Sequence, residues 1–527
     1  MLSPKHRTQF TKQTYLGENL GFLKLRLNSG GVKPAGSRNL KKTRRPGNYS
    51  NYARVLAHGV SLVIFTVPQN IVTTQDNYYK IHKLFFKRLS MHSPPPSASS
   101  FLINLIGGLS FIASIKLIHF FYPEIDAFQL SIFSVLAAVI PTLLCELLFL
   151  KVHLRPSTGL IPKTKPDRNR LSIKLLGYYG SIAVVTGLYL LIPEYDKDLY
   201  DTAFLYLLLL LLIYITIGWL YFSEVDPRME DPYDGFWHAG NLFAGRWGKV
   251  DKEILKSHVK SFLLRMYFIP LMFFYITYNV QMVLDGHEDF SHTILPNMTD
   301  SPALAVTKFF LLIYFFLAAI DTLFAVIGYL ITLRIFDSHI RSTEPTFLGW
   351  FVCIICYSPF WEIVFITSIF HDLYSNPEWY KWFENSTLLL AIWGPFVLIG
   401  MCLEALTTLS FGIRFSNLTY RGLISSGTFR LSKHPQYIFK MMNRFFFLVP
   451  FLSMYGIFGA IKTMLMFFGL CFIYYLRAKT EENHLSIYPE YVEYANWVNR
   501  NGIFRWVGKI FPSLIYSEER AKSGKIF

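Results

Sequence analysis

Apolar runs of about 20 residues recur down the chain, Ala203 to Phe222 among them, and each is long enough to cross a hydrocarbon layer roughly 30 Å thick. Only 16% of the 527 residues are charged, against about 25% in ordinary soluble proteins. A soluble enzyme, a disordered chain and a disulfide-stapled secreted domain are excluded. The five cysteines fall within or beside apolar runs, where a thiol acts as a small hydrophobe. The CxxC pair Cys353 and Cys356 reads as packing, since no partner ligands accompany it.

The pattern predicts an all-α polytopic membrane protein. Eight spans are expected near 101–121, 127–150, 172–193, 202–222, 261–284, 304–333, 347–370 and 386–411. A ninth apolar block, Phe445 to Leu476, is too long for one untilted helix. It carries Pro450, Gly456, Gly459 and Lys462 near its middle, so it reads as two short helices in a hairpin, giving about ten membrane segments. Three regions follow: a basic arm over 1–98, a membrane domain of unassigned role over 99–385, and a C-terminal region over 386–527.

Charge orients these spans, because loops retained in the cytoplasm keep Lys and Arg. The loops at 122–126, 194–201, 285–303 and 371–385 hold 2 basic and 13 acidic residues, while the alternate loops with both ends of the chain hold 45 basic and 18 acidic. Both termini are therefore expected in the cytoplasm. The net charge of +16 is mostly the arm's, with 16 Lys and Arg against Glu18 and Asp76. Within it, Val55 to Val72 is interrupted by His58, Pro68, Gln69 and Asn70 and suits an interfacial or buried helix. The arm fits an anionic-lipid anchor first, then a partner-docking or targeting segment. Nucleic acid is disfavoured, since no aromatic-interleaved globular domain accompanies the charge.

Several ionisable residues fall inside predicted spans, where each is costly and a functional candidate. Glu146 and Lys308 are near enough to a span end to snorkel or pair. Asp321 and Glu362 are deeper and fit either a polar cavity or an interhelical bond. On the acidic face, Asp285-Gly-His287-Glu288-Asp289-Phe-Ser-His292 lacks metal-ligand spacing and reads as a solvated loop. Asn297 and Asn385 begin N-x-Thr sequons.

The densest chemistry lies between Gly412 and Tyr494. Gly427-Thr-Phe-Arg430-Leu-Ser-Lys433-His434-Pro435-Gln-Tyr437 precedes the apolar hairpin, and Arg477-Ala-Lys-Thr-Glu481-Glu482-Asn-His484-Leu485 follows it, with Tyr488, Tyr491 and Tyr494 beyond. A hairpin brings these bases, the His-Pro corner and the double carboxylate to one membrane face. That set suits a zwitterionic or adenosine-bearing cofactor. Taken singly, each of these residues has an ordinary structural role at a membrane surface or on a solvated helix face; the ordered set favours function.

This ordered set resembles the C-terminal half of the isoprenylcysteine carboxyl methyltransferase family, over about 85 to 100 residues. Membrane phospholipid methyltransferases and the C-terminal region of sterol reductases are more distant. The resemblance implies a membrane methyltransferase using S-adenosylmethionine and a lipid or prenylated acceptor from the bilayer. His434, Pro435 and Tyr437 then help enclose the cofactor, at least one of Glu481 and Glu482 holds its ammonium, Arg477 faces its carboxylate or the acceptor, and Arg430 and Lys433 sit at the same mouth. Arg477 and Glu482 carry the expected catalytic roles. A carboxylate acceptor needs alignment rather than a base, whereas an amine needs one, for which His484 or Glu482 is placed. Lys433 stands where the family more often has Arg, and Phe439 stands where it usually has Gly, which narrows the ligand space. Two other classes fit the sequence: an NADPH-dependent reductase of the sterol-reductase type, and a transporter or lipid-handling protein with a non-catalytic C-terminal region.

Overall fold

The computed structural model describes residues 93–191, 197–295 and 298–524. The basic arm up to residue 92, part of the acidic loop at 194–201, and Asn297 lie outside the described residues.

Long helices dominate: α1 (Phe101–Phe121), α2 (Ala127–Leu148), α3 (Arg168–Leu191), α4 (Lys197–Val225), α5 (Gly235–Phe243), α6 (Lys252–Glu288) and α7 (Pro302–Leu330). After them come α8 (Phe347–Ile354), α9 (Thr387–Phe411), α10 (Pro435–Leu448), α11 (Gly456–Leu485) and α12 (Pro489–Asn501). Among the described residues seven helices are long and apolar enough to cross a membrane, namely α1, α2, α3, α6, α7, α9 and α11; α4 is a further continuous helix of 29 residues. The chain is an all-α polytopic membrane protein.

Polar residues at the ends set the helix starts. Asp126 accepts the Gln129 N–H at 2.8 Å, Asp251 the N–H groups of Glu253 and Ile254 at 2.8 and 3.0 Å, and Thr346 that of Gly349 at 3.1 Å. Each satisfies donors that a first turn leaves unpaired. The most enclosed of the spanning helices is α7, packed against α6 and α9. Close approach depends on small residues there: a Cβ on Gly328 of α7 would lie 2.2 Å from the Phe415 carbonyl oxygen.

The expected seventh span is not one helix. Residues 347–375 form α8, then a π-helical turn Glu362–Ile366 and a short turn His371–Ser375. Pro359 lacks an N–H and disfavours helix at Ser358; the Ser358 carbonyl accepts from the Tyr267 hydroxyl of α6. The broken segment nevertheless runs the length of α11 in the opposite sense. Cys353 lies beside Arg477, Phe370 beside Gly469, and Asp372 pairs with Lys462. Arg477 to Lys462 is roughly 22 Å of helix at 1.5 Å per residue, most of a hydrocarbon layer.

The C-terminal hairpin also departs from expectation. It turns at Val449, which adopts φ 47°, but its arms are unequal, with 14 residues in α10 and 30 in α11. Contacts from Tyr437 to Glu481 and from Phe445 to Phe467 make the arms antiparallel. Residues on both sides of 385 pack together: α9 lies on α7, and the two-residue strand β1 (Ser342–Thr343) pairs antiparallel with β2 (Thr419–Tyr420).

Most of the intramembrane charges are engaged. Glu146 is fully buried and takes a two-point bond from Arg414, at 3.0 and 3.2 Å; of the two expected outcomes it pairs rather than snorkels. Lys308 pairs with Asp289, and Arg265 donates to Thr332 at 2.9 Å. Glu362 accepts from Ser358.

Candidate functional site

The loop after α9 turns at Gly412, where φ is 57° and a Cβ would strike the Asn104 amide. Only glycine meets both demands. The loop's buried arginines hold backbone: Arg421 donates to the carbonyls of Ser338, Gly328, Phe415 and Ile331 at 2.6–2.8 Å. Arg414 grips Glu146 and the Phe336 carbonyl. This fixed loop delivers Asn417 beside α11 and sets His434 ahead of α10, with Pro435 at its first turn.

Between the loop, α10, α11 and the broken segment lies a cavity with about 1060 Å³ of empty volume, counting its opening to solvent. Arg477, Glu481 and His484 recur every third or fourth residue along α11, which places them on one face, and all three line the cavity. Lys433, His434, Pro435 and Tyr437 line it from α10 and its approach.

The Glu481 carboxylate accepts from the Tyr437 hydroxyl at 2.9 Å and lies 3.4 Å from His434 Nδ1. The His434 and Tyr437 rings stack 5.7 Å apart at 6°. Burial opposes protonation of His434, but its bonds to Glu481 and Glu482 outweigh that and hold its pKa above the ordinary imidazole value. Arg477 is caged by the rings of Tyr437, Tyr474 and Tyr357 at 4.9, 5.0 and 5.8 Å, and donates to Asn417 Oδ1 at 3.3 Å. Among the described residues no carboxylate pairs with it. Cation–ring attraction of this kind contributes up to about 2 kcal/mol when desolvated.

Glu482 turns the other way. It lies 2.9 Å from Lys433, 2.7 Å from Lys479 and 3.3 Å from His434 Nε2, and is not among the cavity-lining residues. With both oxygens on cations it is unsuited to the base role expected of it. Burial lowers the Lys433 pKa while Glu482 counters it. Arg430 is exposed and off the cavity wall. Phe439 is buried and is not among the cavity-lining residues.

Other lining residues were not singled out by the motif. Tyr357, Cys353 and Gly349 come from the broken segment, whose interruption places non-helical backbone against a polar pocket, where lipid-depth irregularity is tolerated. Asp321 and Gln436 form an inner end, both bonded to Thr408, and Lys440 pairs there with Glu404 at 3.1 Å. Glu344 lines the outer end; burial raises its pKa. His484 stands between Ser342 Oγ, 2.8 Å from its Nε2, and Glu344 Oε2, 3.8 Å from its Nδ1. The hydroxyls of Tyr474 and Thr419 are buried, line the cavity and have no hydrogen-bond partner among the described residues. Such groups are costly unless something bonds them. Among the described residues no group of three His, Cys, Asp or Glu side chains is placed to hold a metal.

Comparison with known proteins adds no relative: no family model, no curated protein and no solved structure matches this chain.

Proposed function

We propose that the protein is a membrane-embedded methyltransferase that takes S-adenosylmethionine in the α10–α11 cavity and methylates a lipid or lipidated acceptor, a prenylated carboxylate in the first instance. One observation carries this reading: a carboxylate without a Lys or Arg partner, Glu481, and a guanidinium without a carboxylate partner, Arg477, stand one turn apart on the same cavity wall. That is the complement of an amino-acid zwitterion. Each charge-assisted hydrogen bond contributes about 1.5–3 kcal/mol.

The fit extends beyond the zwitterion. The orphan hydroxyls of Tyr474 and Thr419 offer donors to a polar ligand. When bound there, S-adenosylmethionine supplies a methyl group on a sulfonium leaving group. The protein's own part is positional: Glu481 and Arg477 fix one end of the ligand, His434 and Tyr437 hold Glu481 in place, and the ring cage excludes water. For a carboxylate acceptor no proton moves. For an acceptor bearing O–H or N–H, His484 is the base, held by Glu344 and Ser342.

The reductase reading is weaker on the same wall. A dinucleotide phosphate needs several open cations, whereas Lys433 and Lys440 face Glu482 and Glu404 and leave Arg477 alone to meet one. The test is binding of methyl-labelled S-adenosylmethionine and, in parallel, NADPH to the purified chain in nanodiscs. Saturable binding of the first that weakens in Glu481→Gln is expected; NADPH binding without S-adenosylmethionine binding overturns the assignment.

A further inference from the structure

Helix α12 and the tail after it treat apolar residues in opposite ways. Along α12, Tyr491, Tyr494, Ala495 and Val498 are buried against the site's outer shell. Past Gly502, Ile503, Phe504, Trp506, Ile510, Phe511 and Leu514 are all exposed, Ile510 to 62% and Trp506 to 58%. Among them stand Arg505 and Lys509, both exposed, and from Tyr494 to Ser517 the sequence holds no acid.

The segment is pinned rather than loose. The Ile503 N–H donates to the Leu431 carbonyl at 3.0 Å, and Gly502 sits so close that a Cβ would lie 2.9 Å from the same oxygen. At its far end Lys433 Nζ lies 3.3 Å from the Leu514 carbonyl, and the Tyr516 hydroxyl bonds Ser486 at 2.8 Å. Both anchors, Leu431 to Lys433 and Ser486, lie where α10 begins and α11 ends, at the edge of the apolar layer. An apolar, aromatic and purely cationic strip held at that level matches the headgroup region of a leaflet, where aromatic rings and basic side chains are stable. In water the same strip would be an exposed apolar patch of a kind that monomeric proteins avoid.

We infer that residues 502–516 form a binding site for anionic phospholipid, with the apolar side chains entering the interface and Arg505 and Lys509 on the phosphate-bearing headgroups. The inference does not depend on the methyltransferase reading. Because Lys433 bonds the strip and also lines the cavity, lipid bound here braces one rim of the site.

Hydrogen–deuterium exchange of the full chain decides it, in nanodiscs of phosphatidylcholine alone and of phosphatidylcholine mixed with phosphatidylglycerol. Exchange over 502–516 should slow on adding the anionic lipid, by about fivefold for each cation engaged, while α12 stays unchanged. Arg505→Gln with Lys509→Gln should remove that lipid dependence and leave α12 protected. Equal exchange in the two lipids, fast or slow, overturns the proposal in the wild-type chain alone. Slow exchange in both would mean that the strip is covered without regard to lipid charge.

Discussion

Around Asp226 every buried charge meets its opposite. Lys174, fully buried, lies 2.8 Å from Asp226 and 3.4 Å from Asp234, and Arg170 closes on Asp226 at 2.7 Å. Along α11 two adjacent glutamates divide: Glu482 is saturated by Lys433, Lys479 and His434, while Glu481 meets a hydroxyl and an imidazole at the cavity wall. A closed ion cluster ties the 226–234 loop to α3 and offers nothing to a ligand. The open face of α11 carries Glu481 and Arg477 without an ion pair between them, Glu481 being held by Tyr437 and His434 and Arg477 by aromatic rings and Asn417. The contrast separates a closed ion cluster from a carboxylate and a guanidinium that share one cavity wall without pairing.

The largest effect should come from the closed cluster. Asp226→Ala leaves Arg170 and Lys174 facing no anion, and removal of one partner from a buried pair costs about 3–5 kcal/mol; a thermal unfolding midpoint equal to wild type would break the distinction. Next is the glutamate pair. Glu481→Gln should weaken binding of labelled S-adenosylmethionine by about 10- to 100-fold, from the loss of a charged hydrogen bond, with a smaller fall in unfolding temperature than Asp226→Ala. Glu482→Gln should do the reverse, lowering the unfolding temperature while the remaining folded protein binds near wild-type affinity. A smaller loss, about tenfold in affinity, is expected for Arg477→Lys, which keeps the charge but not the planar contact with three rings.

The smallest effect is on pH. The folded protein holds His434 above its ordinary pKa through Glu481 and Glu482, against burial, so the imidazolium's contribution is complete below the unfolded value of about 6.5 and is lost as pH rises through the raised folded value. Stability should therefore decline across and above neutrality more steeply in wild type than in His434→Gln. Parallel stability profiles for the two proteins would remove the imidazolium from the account.

Hydropathy was a good guide to the long helices, because a helix is the backbone's solution in lipid whatever its partners. It misread 347–370, and the reason is physical. Pro359 breaks that segment, yet Pro141, Pro270 and Pro395 lie inside intact helices. A proline's effect depends on the tertiary packing around it, which one segment's sequence does not record. The α11 face was legible from the spacing of Arg477, Glu481 and His484. Which of Glu481 and Glu482 faces the cavity was not, since two adjacent residues differ by only about 100° around a helix. Glu344, Asn417 and Tyr357 reach the site through tertiary packing, and Arg430 and Phe439 are kept from it in the same way.

The broken seventh segment is also the cavity's wall toward lipid. Cys353 and Tyr357 look inward, while Phe351 and Phe360 are exposed on the outside, so a single thickness of chain separates the pocket from the hydrocarbon. Under the proposed function, an acceptor with a long tail needs to bring only its headgroup past this segment, and the tail stays in the leaflet throughout. For such a substrate the governing concentration is a mole fraction within the bilayer, and encounter is a search in two dimensions. Diluting the membrane with inert lipid would slow turnover, whereas diluting the suspension with buffer would not.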